Sequence, residues 1–191
     1  MRIAVLAWGS LVWQPRNEHG ELCVDPSDGW RSDGPDLPIE FARISADGRL
    51  TLITVPGQAS TSPVLWRRSC HDVLDDAITN LAQRETNAPR RRIHAAGGNG
   101  VLNGSPDVFV AATVSGWLRS RPDVDAAIWT GLPPGPRWQA NGHDGFSSEA
   151  ALAYVASLAG PVRALAAEYV ARTPEQIATP LRPRLETALG L

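Results

Sequence analysis

Gly9 and Ser10 close an apolar run, Ile3 to Trp8, and a turn of that kind can aim several main-chain N–H groups in one direction. Such a concavity holds a carboxylate or a developing oxyanion. A Gly-Ser pair taken alone is ordinarily just a turn, so any chemistry here needs a partner. Glu85 is one candidate, because it ends a helical pattern, where the helix dipole disfavours negative charge. A glutamate at a helix end is otherwise a solvated carboxylate.

Other chemistries find less support. Every basic residue among the 18 is arginine, the mark of a GC-rich bacterial genome, so Schiff-base and P-loop lysine chemistry are excluded. The histidines His19, His71, His94 and His143 show no HxxxH or HExxH spacing, and Cys23 and Cys70 form no CxxC. No metal site is therefore expected, and in a cytoplasmic chain the two cysteines are expected as thiols. Arg90, Arg91 and Arg92 read as a solvated or partner-pairing surface, with an anionic substrate as the lesser alternative. The tract Ala95 to Gly104 lacks GxGxxG and GK[ST]; a flexible linker is the first reading and a flap over a pocket the second.

These residues must be positioned by a small set of elements. The run from Ile3 to Trp8, with no polar interruption, is expected as a strand covered on both faces or closed in a barrel, ended by Gly9 with its access to positive φ. Gln14 to Pro38 reads as a long excursion with a short strand near Leu22 to Val24. Leu37 to Ile44 and Arg49 to Val55 flank Asp47-Gly48, a hairpin signal, and parity puts Glu40 and Arg43 on opposite faces, each with its own neighbour. Pro63 to Arg67 is another short strand. Val73, Leu74, Ala77, Ile78 and Leu81 then recur at helical spacing after an acidic start.

Ser105-Pro106-Asp107 opens a helix through Leu118 with Ser105 as cap, a strand being the alternative for VFVAATV. Ala126 to Leu132 reads as a central strand stopped by Pro133-Pro134. Ser147 or Ser148 caps a helix to Gly160, Pro161 opens another to Arg172, and a helical tail is broken at Pro180 and Pro183. Strands with one crossing helix, then mostly helices, predict an α+β fold: a small mixed sheet or barrel with flanking helices.

Hydrophobic residues at 43%, charged residues at 20% and a net charge of −2 describe an ordinary globular chain, expected as one domain over residues 1–191. Neither nucleic acid nor an anionic membrane is expected as a partner. The apolar runs are too short to span a bilayer and the N-terminus lacks a signal pattern, so the expected location is the cytoplasm. The seven tryptophans are too dispersed for a base-stacking array and are expected in the core or in pocket walls. Oligomeric state is not legible.

Two stretches together carry a resemblance. Leu6 to Pro15 (LAWGSLVWQP) resembles the YGSL-type opening of γ-glutamyl cyclotransferase-like proteins, especially the ChaC-like glutathione-degrading branch. Val64-Leu65-Trp66-Arg67, followed by a helix and by Leu81-Ala82-Gln83-Arg84-Glu85, resembles that branch's strand, helix and closing Arg-Glu pair. The resemblance implies a lyase that cyclises a small-molecule γ-glutamyl peptide or amine to 5-oxoproline and frees the amine, with no cofactor. It implies Trp8, Gly9, Ser10 and Leu11 as the substrate-binding turn and Glu85 as the catalytic acid/base, its pKa raised in a partly dry pocket. Trp8 departs from the family's tyrosine, exchanging a hydroxyl for an indole donor. The alternatives are a non-catalytic binding or interaction module on the same fold, and a hydrolase using the same carboxylate with water.

Overall fold

The computed structural model describes residues 1–85, 88–134 and 146–191, so Trp138 and His143 lie outside the described residues. In chain order the elements are β1 Ile3–Ala7, β2 Arg16–Asn17, β3 Gly20–Glu21, β4 Asp36–Leu37, β5 Ile39–Ile44, β6 Leu50–Thr54, β7 Ser62–Pro63 and β8 Leu65–Arg68. There follow α1 Leu74–Arg84, a 3-10 turn Arg90–Arg92, β9 Ile93–Gly97, β10 Gly100–Asn103, α2 Val108–Arg119, β11 Ala126–Thr130, α3 Ser148–Ser157, α4 Gly160–Arg172 and α5 Arg182–Leu189. The fold is α+β, built on an open five-stranded sheet, not a closed barrel, together with small two-stranded sheets. The chain divides into two compact units: Met1–Leu37 with Pro63–Gly131, and Pro38–Ser62 with Leu132–Leu191.

The first unit holds the mixed sheet, ordered β10-β9-β11-β1-β8. β1 is buried along its whole length because it pairs on both edges, parallel to β11 and antiparallel to β8, and is covered on both faces. On one face Ile3, Val5, Ala7, Ile93, Ala95 and Ile128 meet Ala77, Ile78, Leu81 and Ala82 of α1. Truncating a buried Ile or Leu in such a layer costs about 2–5 kcal/mol. Ala4, Ala127 and Ala96 stand in one row across β1, β11 and β9 and alternate onto the other face. The small side chains there suit close approach of α2, whose Val110, Val114 and Leu118 are buried.

Several expectations are corrected in this unit. Ala95 to Gly104 is neither linker nor flap: it forms most of the β9–β10 hairpin, with Gly100 at φ 131 in its turn. Alanines and glycines read as linker composition, yet they are what a sheet needs beneath a closely packed helix. The strand placed near Leu22 to Val24 is instead the β2–β3 hairpin, with one isolated bridge from Val24 to Ser69. The helix at Ser105 starts later, and its cap is Asp107, whose carboxylate accepts from the N–H groups of Phe109 and Val110 at 2.9 and 3.3 Å.

The second unit is the β5–β6 hairpin with α3, α4 and α5. A bulge between Phe41 and Arg43 shifts its register. Glu40 and Arg43 do meet different neighbours, Glu40 the Leu181 N–H and Arg43 the Pro133 carbonyl. Tyr169 of α4 packs edge-on to Phe41 at 6.3 Å, and Ser147 caps α3 through the Ala150 N–H. Pro183 does not break the tail: it sits in the first turn of α5, where a missing N–H costs nothing. Among the described residues no helix is long and apolar enough to cross a membrane.

Candidate functional site

Parallel pairing of β1 with β11 brings their carboxyl ends to one edge of the sheet, the position where open α/β sheets characteristically bind ligands. Trp8 to Trp13 leave β1 at that edge. The Val12 N–H donates to the Gly9 carbonyl at 2.9 Å and the Gln14 N–H to the Ser10 carbonyl at 2.7 Å. The chain thus turns tightly, and no backbone hydrogen bond among the described residues engages the N–H groups of Gly9, Ser10 or Leu11. Gly9 is not among the glycines with positive φ. The expectation that it needs the left-handed region is therefore corrected; helical-type turning achieves the reversal without it. Trp8 is 4% exposed and Leu11 7%, and Leu11 joins the cluster beneath α1. What Leu11 can offer a ligand is its main chain.

The helix α1 ends at the same edge. Glu85 is its C-cap, with its N–H bonded to the Leu81 carbonyl at 3.0 Å. Its neighbour Arg84, 6% exposed, is the hub of the site. The guanidinium donates to Glu85 Oε1 at 2.6 Å, to the Gln14 carbonyl at 2.5 Å and to Ser10 Oγ at 3.5 Å. Its Nε is buried with no hydrogen-bond partner among the described residues, a donor that buried sites seldom leave unused. Asn17 donates to the Arg84 carbonyl at 2.7 Å and so fastens the β2–β3 hairpin to the helix end. The carboxylate of Glu85 is itself shielded, its side chain only 14% exposed.

Turn and carboxylate, 75 residues apart from Ser10 to Glu85, are thus joined through one guanidinium. Arg84 entered the sequence reading only as half of an Arg-Glu pair. Its bridging role has no local signature, because an arginine that closes a helix is usually a solvated cation near the dipole's negative end.

His94 opens β9 at this edge, beside Trp129 of β11, with the rings edge-on at 5.7 Å. Since Ile128 faces α1, the adjacent Trp129 and its partner His94 belong to the opposite face. The ring fits a notch made by two glycines: a Cβ on Gly131 would come within 2.1 Å of it and one on Gly104 within 2.5 Å. Burial, reinforced by Arg92, holds the His94 pKa below its ordinary value. The neutral imidazole is a donor and acceptor that sequence spacing did not single out. No hydrogen bond among the described residues joins it to Arg84 or Glu85.

Cys23 and Cys70 are bonded to one another, with Cα atoms 5.5 Å apart. The expectation of free thiols is corrected by backbone geometry: the Val24–Ser69 bridge and the Cys70 N–H to Cys23 carbonyl bond at 3.1 Å set the two residues side by side. That spacing lies within the range a disulfide spans.

No family model matches the chain, and no curated protein matches it either.

Proposed function

We propose that this chain is a γ-glutamyl cyclotransferase-like enzyme, cyclising a γ-glutamyl peptide or amine to 5-oxoproline with release of the amine. The observation that carries the reading is the Arg84 bridge, which unites the Gly9-Ser10 turn with a shielded Glu85. The substrate's α-amine lies within reach of its own γ-carbonyl, so the substrate itself supplies proximity. Glu85, with the Arg84 guanidinium at 2.6 Å, is favoured as the ionised carboxylate. That form takes a proton from the α-ammonium. The freed amine attacks the γ-carbonyl, and the N–H groups of Gly9, Ser10 and Leu11 receive the oxyanion; a single donor of that kind is worth about 3–4 kcal/mol. Collapse breaks the amide bond, Glu85 returns the proton to the leaving nitrogen, and no cofactor takes part. The charge on Arg84 opposes the raised pKa that a lone carboxylate in a dry pocket would have, so the base step is the easier of the two.

The test is incubation with a panel of γ-glutamyl amides and peptides, scoring 5-oxoproline and free glutamate separately. The expected product is 5-oxoproline. Free glutamate in its place identifies a hydrolase, and ligand binding without turnover of any panel member identifies a binding module.

A further inference from the structure

Cys23, Cys70 and His71 come together far from the sheet edge in sequence terms, yet their ligand atoms lie within 4.8 Å of one another. We propose that these residues form a redox-gated site for one thiophilic divalent cation of the zinc class, accessible only when the two sulfurs are reduced.

The grouping is set by the backbone and does not depend on the sulfur–sulfur bond. The Cys70 N–H donates to the Cys23 carbonyl at 3.1 Å, the Asp25 N–H to the Arg68 carbonyl at 2.9 Å, and the Ser69 N–H to the Ile3 carbonyl at 2.8 Å. Asn80 of α1 accepts from the Cys23 N–H at 2.8 Å and donates to the Glu21 carbonyl at 2.9 Å. Reduction therefore leaves the two thiols facing each other on a fixed frame. A tetrahedral metal with Zn–S bonds near 2.3 Å asks for sulfurs about 3.8 Å apart, a separation that side-chain rotation supplies from Cα atoms at 5.5 Å.

His71 provides the independent sign. Its N–H donates to Ser69 Oγ at 3.1 Å, which orients the residue, while its Nε2 is shielded from solvent and has no hydrogen-bond partner among the described residues. A buried ring nitrogen without a partner is uncommon, and here it belongs to the residue beside two sulfurs. Two thiolates and one imidazole suit zinc, neutralise its charge and leave a fourth position. Cys70 is exposed, which opens the disulfide to a reductant.

The chemistry balances with a dithiol reductant. It transfers two electrons and two protons to the Cys23–Cys70 bond and becomes a disulfide itself. Metal binding then displaces both thiol protons to solvent.

The experiment titrates the whole protein, reduced and anaerobic, with Co2+ and then displaces the cobalt with Zn2+. The expected result is one equivalent bound, with thiolate-to-cobalt charge-transfer and tetrahedral d–d bands that the oxidised protein does not show. Cys70→Ser should abolish the charge-transfer bands, and His71→Ala, at a partly exposed position, should weaken binding by at least about tenfold. Absence of the bands in the reduced wild type, or unchanged affinity in His71→Ala, overturns the assignment.

Discussion

At the scale of single residues, the energetics of the site centre on Arg84. Its guanidinium meets a carboxylate, a hydroxyl and a carbonyl at once, which a planar fork does and a single ammonium does not. Arg84→Lys should keep the charge and the fold while lowering kcat/KM by about 10–100-fold, because a displacement of about 1 Å at the reacting centre costs that much. Circular dichroism with steady-state kinetics checks it, and unchanged kcat/KM would remove Arg84 from the site. Glu85→Gln should lower kcat by about 10²–10⁴-fold, the usual worth of a positioned acid/base, with KM little altered.

Glu40 shows a carboxylate with the opposite surroundings. Burial pushes its pKa up, although Thr179 and the N–H groups of Phe41 and Leu181 pull the other way. A carboxyl whose folded pKa is raised keeps its proton in the folded state after the unfolded chain has lost it. Its contribution is present in acid and is lost as pH rises from the ordinary carboxylate range through the folded value. The stability of Glu40→Gln relative to wild type should therefore be greater at pH 7 than at pH 4.5 in paired denaturant titrations. An equal difference at both pH values contradicts the sign.

At the scale of elements, the register of β9 against β11 decides where His94 stands. The pair His94 and Trp129 sits one residue from the strand ends, and the ring occupies space that only glycine at Gly131 and Gly104 leaves open. Gly104 also has φ 74, a conformation costly for other residues. Gly131→Ala should destabilise the protein by about 1–3 kcal/mol through overpacking. The remedy is specific: adding His94→Ala should recover most of that loss, since the clash is with the imidazole. A double-mutant cycle by chemical denaturation reads the coupling, and additive losses would show that the notch is not what excludes the methyl.

At the scale of the whole molecule, the Cys23–Cys70 bond spans a sequence separation of 47 and ties the excursion after β1 to the start of α1. Closing a loop of that length is worth about 4 kcal/mol in the chain-entropy description, with a practical range of about 2–4 kcal/mol. Reduction should lower the free energy of unfolding by that amount at neutral pH. Asn17 and Asn80, which clasp the same excursion to α1, keep it in place, so the site should survive reduction. Comparing melting and turnover with and without a dithiol checks both parts; loss of turnover without loss of stability would mean that the bond itself shapes the site.

Periodicity and turn chemistry were enough to read most elements from the amino acids alone. An uninterrupted apolar run can only be a strand buried on both faces, and β1 is one. Asp47-Gly48 between alternating segments is a hairpin, and Val73 to Leu81 is a helix closed by Glu85. These are local rules, and they held because local preference and tertiary demand agree there. The glycine tract at Ala95 to Gly104 failed the same rules because small residues were selected by the helix above them, a partner no window of sequence contains. Three further matters belonged to the tertiary structure: Arg84 as the bridge between turn and carboxylate, His94 in its glycine notch, and Cys23 beside Cys70 and His71. Each depends on which strands pair and in what register, and a one-residue slip in pairing turns a side chain to the other face.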